Sequence, residues 1–241
     1  MFELLAALGL SALPALAIIG YVYRRDRARP EPLGLISRSI LFGFLAVIPA
    51  ALIEIGLGYV LPRGSGLFGA FIEAFLVAGL VEESVKLFFV KRYLFRRPEF
   101  DERADGIVYA VCVSLGFAFV EDFLYGYGDF GLLLLRAFTA VPLHAIASGV
   151  MGYYIGLAKI EGRGARGGPA AGAWKRGLLW AVLIHGFYDF FLLTRSLAGL
   201  LVIPLLLVGA KVLSRLFSRA VAADALDRPP PPYQSPASPL L

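Results

Sequence analysis

Cysteine is almost absent from this chain. Cys112 stands alone, so no intrachain disulfide can form and no cysteine-based zinc site can be assembled. Set in an apolar stretch, it reads as a small buried hydrophobe. Histidine is nearly as scarce, with two in 241 residues, His144 and His185. Charge is thin as well: 17% of residues are charged, against about a quarter in soluble domains. With 59% apolar residues and a mean hydropathy of +0.75, an ordinary soluble domain is excluded. The first apolar run lacks a basic segment ahead of it. It opens Met1-Phe2-Glu3 and its charges follow, the reverse of a cleaved signal peptide, so a retained helix with its N-terminus outward is expected. No internal repeat relates the two halves of the chain, which counts against a transporter built on repeats.

What the chain has is apolar runs. A helix needs about 20 apolar residues to cross a bilayer. By that measure an all-α, polytopic transmembrane bundle of about seven spans is expected, at 2–23, 35–60, 67–90, 106–127, 132–158, 177–194 and 197–214. One membrane domain then occupies residues 1–218, and a Pro-rich tail, 219–241, is expected to be disordered; its last stretch from Asp224 carries six prolines. The net charge of +5 is gathered between the runs rather than on one face, which argues against nucleic acid. The clusters are Arg24 to Arg38, Lys91 to Arg103, Lys159 to Arg176 and Lys211 to Arg228. With the N-terminus outside and the C-terminus cytoplasmic, all four fall on the inner side, leaving Arg63, Arg136 and Arg195 near outer ends and Lys86 within the third span. Pro49 and Pro142 lie inside spans and are expected to bend them.

The ionisable groups inside these runs carry the functional signal. One such group costs about 2.5–3.5 kcal/mol to insert even on a lenient scale, so each needs a partner or a task. Glu82 and Glu83 can both meet Lys86, at helical spacings of four and three, while the two carboxylates diverge by about 100°. Alone, that motif is equally well an internal ion pair. Glu121 in the fourth span reads as a candidate, its neighbour Asp122 as solvated, and Glu54 and Glu73 as interfacial or structural. His144 shares a stripe with Ser148, Gly152 and Gly156, whose spacing of four suits close helix packing, so it faces protein. His185 and Asp189 share a face, where the carboxylate can orient the ring or complete a ligand set. Depths counted at about 1.5 Å per residue put all of these near mid-bilayer. Two chemistries need such a set. In one, imidazoles and a carboxylate hold Zn²⁺ and a further Glu acts as base; in the other a Glu activates water directly and the histidines stabilise the oxyanion. A proton-coupled transporter and a non-catalytic membrane scaffold are the alternatives from other classes.

At these residues the chain resembles the PrsW family of intramembrane proteases, within the wider CAAX-prenyl endopeptidase-like group. The resemblance rests on Tyr23-Arg24-Arg25-Asp26 leading to Glu31-Pro32, Glu82-Glu83-x-x-Lys86, and Asp105-Gly106-x-x-Tyr109 leading to Gly116-Phe117-Ala118-x-x-Glu121. It continues through Arg136, His144, Met151-Gly152-Tyr153-Tyr154 and His185-Gly186-x-x-Asp189. The family usually has Asn after the fourth-helix Glu, where this chain has Asp122. The resemblance implies an integral protein of the bacterial inner membrane that makes the first cut in a single-pass anti-sigma factor. It places catalysis on Glu82, Glu83, Glu121, His144 and His185, supported by Lys86 and Asp189. For a zinc enzyme the expected ligands are His144, His185 and Glu121, with Glu82 or Glu83 as base and Asp189 as orienting group or fourth ligand. A metal-free glutamate mechanism is the other expectation.

Overall fold

In the computed structural model, residues 2–26, 29–61, 66–162 and 170–227 are described, and among them every regular element is helical. The helices are α1 (Phe2–Arg25), α2 (Leu33–Val60), α3 (Gly66–Phe71), α4 (Leu80–Phe89), α5 (Arg103–Gly126), α6 (Phe130–Phe138), α7 (Ala140–Ile160), α8 (Ala173–Leu193) and α9 (Val202–Asp227). Six stretches are long and apolar enough to cross a membrane: Ala7–Arg25, Leu33–Val60, Arg103–Gly126, Phe130–Ile160, Ala173–Leu193 and Leu197–Asp227. The third expected span, 67–90, takes a different form. There α3 and α4 are joined by a π-helical run, Ile72–Gly79, and a second π segment, Val90–Leu94, follows α4, so no single α-helical piece reaches spanning length.

α5 is the axis of the bundle. Nearly all of its residues from Arg103 to Ala118 are buried, with α1, α2, α7 and α9 packed around it. Its N-terminus is held by carboxylates. Asp105 accepts the N–H of Glu102 at 2.7 Å, and Asp224 of α9 accepts those of Arg103 and Ala104 at 2.9 and 3.0 Å. Negative groups at this end satisfy donors that have no partner within the helix and complement its dipole. Helix α9 therefore runs through 219–227, residues expected in the tail, and Asp224 is buried there because it caps α5. The rest of the expected tail lies outside the described residues.

Two helix contacts are made backbone to backbone. A Cβ at Gly106 of α5 would strike the backbone of Gly152 and Gly156 of α7, and one at Gly43 of α2 would strike Val113, Gly116 and Phe117 of α5. The small-residue stripe of α7 thus lies against α5, as its spacing of four predicts. Gly152→Leu is expected to force these helices apart, lowering stability by about 1–3 kcal/mol as overpacking does. Thermal unfolding in detergent would show it as a lowered midpoint. Pro142 does not kink a continuous span. The helix breaks at Thr139, and Pro142 falls in the first turn of α7, where a missing N–H costs nothing.

The π-helical run positions the chemistry that follows it. Leu80 N–H reaches back five residues to Phe75 O, and the Phe75 ring settles on Gly186, where any Cβ would collide with it. This seats α4 against α8 directly beside His185. π-helical insertions within helices are frequent at functional sites.

Candidate active site

Four helices deliver ionisable groups to one place. α4 brings Glu82, Glu83 and Lys86; α5 brings Glu121; α7 brings His144; α8 brings His185 and Asp189. Lys86 is wholly enclosed, and its ammonium lies 3.0 Å from Glu82 Oε2, 2.8 Å from Glu83 Oε1 and 3.0 Å from His144 Nδ1. An ammonium can only donate, so Nδ1 is the acceptor and the proton of the neutral His144 ring sits on Nε2. Nε2 then donates to Glu121 Oε2 at 2.8 Å.

Glu83 has no exposed surface, and its oxygens have three donors: Lys86 Nζ, His185 Nδ1 at 3.0 Å and Ser148 Oγ at 2.7 Å. His185 donates its Nδ1–H to Glu83, which leaves Nε2 to meet the other carboxylates. That nitrogen faces Asp189 Oδ2 at 3.4 Å and Glu82 Oε2 at 3.9 Å. The two imidazoles meet edge to face, their centroids 5.2 Å apart. The seven residues singled out from the sequence are therefore one connected network.

The network opens into a cleft of about 220 Å³ between α2 and α5, lined by Glu82, Glu121, Glu54, Phe117 and Tyr125 among others. Glu82 and Glu121 reach this cleft and Glu83 does not. The two adjacent acids of α4 are thus distinguished: one faces the space where a substrate can lie, and the other braces Lys86 and His185. A larger recess of about 610 Å³, lined by Glu73 and Arg195 among others, holds neither histidine nor any of the paired acids.

Glu54, read from the sequence as interfacial or structural, lines the cleft, and its Oε1 is buried without a hydrogen-bond partner. A signal for it exists. Gly43, Ala46, Ala50 and Glu54 recur at spacings of three and four, so Glu54 ends the small-residue stripe on which α2 packs. Asp122 is buried rather than solvated. Arg136 Nε binds it at 2.6 Å while Arg136 Nη2 lies 3.2 Å from Glu121 Oε1, so one guanidinium steadies both acids.

Glu82, His144 and His185 each present one ligand atom within 4.8 Å of the others. Two imidazoles and one carboxylate form a set that zinc takes in hydrolytic sites. The carboxylate grouped with the rings is Glu82, where the sequence reading expects Glu121. His185 has Nδ1–H donated to a carboxylate and Nε2 turned inward, as a ligand would. His144 has Nδ1 taken by Lys86 and Nε2 by Glu121, so it could serve a metal only through Nδ1 and only once the Lys86 ammonium withdraws from it.

A family model described as PrsW family intramembrane metalloprotease matches residues 31–214. The chain is 38% identical over 205 residues to Protease PrsW of Geobacillus kaustophilus, covering 83% of this chain and 84% of that protein. It is 36% identical over 199 residues to Protease PrsW of Bacillus subtilis, covering 81% and 85%. Similarity to Protease PrsW of Clostridioides difficile is 33% over 198 residues, covering 76% and 78%. No solved structure matches. Apolar helices, a buried acid–imidazole network and this likeness over most of its length agree: the chain is an integral membrane peptidase and belongs to the PrsW family of intramembrane proteases.

Proposed function

We propose that this protease hydrolyses a peptide bond of a single-pass membrane protein of the anti-sigma-factor type in the bacterial inner membrane, in the cleft between α2 and α5. The observation that carries the reading is the meeting of Glu82 and Glu121 in that cleft, each held by a partner deeper in the protein. A space of about 220 Å³ admits an extended peptide segment but not an intact helix about 10–12 Å across. The substrate helix must therefore unwind at the scissile bond. In this reading all four basic clusters are cytoplasmic, the N-terminus is outside, and the run from α3 through α4 is the third of seven spans.

Glu82, His144 and His185 would hold Zn²⁺, with Asp189 beside His185. When bound, the ion supplies an acidic water and a Lewis acid for the scissile carbonyl. The remaining chemistry belongs to the side chains. Glu121 accepts the proton of the attacking water, and its hydrogen bond to His144 and ion pair with Arg136 fix the carboxylate for that transfer. The captured proton is then available to the leaving amine. Lys86 and Glu83 position the network without reaching the substrate.

The test is cleavage of a single-pass reporter in proteoliposomes, before and after metal stripping. Chelation is expected to lower the rate at least about tenfold, and Zn²⁺ to restore it. Full activity in metal-free protein would leave Glu82 and Glu121 acting on water alone. Substrate-dependent proton flux without a peptide fragment would favour a transporter.

A further inference from the structure

Helices α1 and α9 both flank α7, and a gap is left between them. It is a cavity of about 240 Å³ lined chiefly by Ile18, Val22, Ala145, Ile146, Leu213 and Phe217, with Arg25 and Ser214 also in its wall. Further round α1 lies a wider, open recess of about 700 Å³, lined by Leu16, Ala17, Gly20 and Arg24 among others. Tyr21 and Arg25 belong to both. They stand as a post between two largely apolar grooves. Gly20 leaves the recess bare, with nothing within 4 Å of where a Cβ would stand. The proteolytic network uses none of these residues.

Arg25 closes α1 at its basic end, and its guanidinium ties α1 to α9. One terminal nitrogen donates to Tyr21 Oη at 2.8 Å and Ser214 Oγ at 3.0 Å; the other donates to Ser214 O at 2.9 Å and Ser218 Oγ at 2.7 Å. The rings of Tyr21 and Phe217 flank it, with centroids 5.8 and 5.2 Å away. All of these partners are neutral, so the positive charge is held in place without being cancelled. Among the described residues two donors are left over, the Nε–H of Arg25 and the hydroxyl proton of Tyr21. Further cations stand around the post: Arg24 one residue back, and Lys211 and Arg215 on either side of Ser214 in α9, all exposed. The acid next in sequence, Asp26, is buried beside Glu31 and Asp105 and lines neither groove.

We propose that this place holds one anionic glycerophospholipid, its phosphate bound by Arg25 and Tyr21 and one acyl chain in each groove. Basic pockets between transmembrane helices bind the head groups of anionic lipids. A guanidinium N–H beside a phenolic O–H offers a phosphate oxygen a charge-assisted hydrogen bond and a second donor. From that level the grooves run into the membrane: Ile18 lies about 10 Å deeper along α1 than Arg25, at about 1.5 Å per residue. Two grooves on either side of one cationic post match two chains on one head group. A zwitterionic head group would bring its own cation against Arg24, Lys211 and Arg215, which favours an anionic one. The lipid also has a task. The floor of the narrower groove is Pro142, Ala145 and Ile146, so a chain lying there steadies the turn of α7 that carries His144.

The experiment is native mass spectrometry of the full-length protein in a mild detergent, titrated with phosphatidylglycerol or with phosphatidylcholine of the same acyl chains. One phosphatidylglycerol per protein is expected, bound at least about fivefold more tightly than phosphatidylcholine. Arg25→Gln should weaken it at least about fivefold, which corresponds to about 1 kcal/mol for one basic side chain near an anionic surface. Gly20→Leu should weaken it as much, because the new side chain fills the recess without meeting protein. Arg96→Gln removes an exposed cation that lines neither groove and should leave binding at the parental level. Phosphatidylglycerol should raise the unfolding midpoint of the parent and leave that of Gly20→Leu unmoved, as a ligand of the native state does. If Arg25→Gln fails to fold, since its guanidinium joins two helices, Gly20→Leu decides alone. Parental binding in Gly20→Leu, equal binding of the two lipids, or an equal loss in Arg96→Gln overturns the site. Displacement by inorganic phosphate alone overturns it too, because the chains then contribute nothing. Every readout is binding or stability, so the outcome is independent of the proteolytic reading.

Discussion

Glu82→Gln is expected to lower cleavage of a single-pass substrate by about 10²–10⁴-fold, the range supplied by one acid–base or ligand carboxylate. The amide keeps the shape and still accepts from Lys86, so insertion and folding should survive while the charge facing the cleft is lost. Glu121→Gln should act as strongly, because its Oε2 is the acceptor of His144 Nε2–H and its carboxylate faces the same space. His144→Ala removes the ring that joins Lys86 to Glu121 and should match them. Glu54→Gln should stay within about tenfold of the parent, since its carboxylate meets neither histidine and takes no part in the network. Immunoblots of the substrate fragment, with membrane extraction to confirm insertion of each variant, decide the matter. Near-parental processing by Glu82→Gln, Glu121→Gln and His144→Ala together would end the proteolytic assignment of this cleft.

How far the sequence foretold this arrangement depends on the kind of signal. Apolar runs report length and burial, so α1, α2, α5, α7, α8 and α9 were all legible. The small-residue stripe of α7 also gave a close helix approach, since four-residue spacing is a local property of one helix, but not that α5 is the partner. The path from α3 to Leu94 was not legible. Nothing local marks Ile72–Gly79 as π-helical, because that conformation answers to Phe75 meeting Gly186 on a helix more than a hundred residues later. The reach of α9 to Asp227 was hidden for a similar reason. Asp224 looks like the start of a polar tail until the N-terminus of α5 supplies two N–H donors for it.

The site shows the same division. That Glu82, Glu83, Lys86, Glu121, His144, His185 and Asp189 belong together could be inferred, because isolated charges are too costly in a bilayer to be scattered. Which carboxylate does what could not. Glu82 and Glu83 are neighbours with the same helical access to Lys86, and only the positions of α7 and α8 decide that Ser148 and His185 enclose Glu83. Asp122 misled because its depth suggests water, while Arg136, arriving from the separate helix α6, buries it.

Lys86→Met should be the most damaging single change to the fold. Lys86 is the one ammonium in contact with Glu82, Glu83 and His144, and Glu83 beside it has no exposed surface at all. Methionine fills the stem's volume but leaves the charge of Glu83 with only Ser148 and His185 as donors. Removing one partner of a buried ion pair costs about 3–5 kcal/mol, a large share of the 5–15 kcal/mol that typically separates folded from unfolded domains. The variant is expected to unfold well below the parent's midpoint in detergent and to lose cleavage with it. Adding Glu83→Gln discriminates between structure and chemistry. The double variant no longer buries an unpaired charge, so it should recover most of the midpoint, a coupling that a double-mutant cycle would measure. Cleavage should not return, because a neutral amide in place of the carboxylate holds His185 less firmly and His144 Nδ1 still lacks its donor. Recovery of both stability and cleavage would mean that Lys86 and Glu83 are a dispensable ion pair. Recovery of stability alone would show that this pair braces the fold and sets the two rings for catalysis.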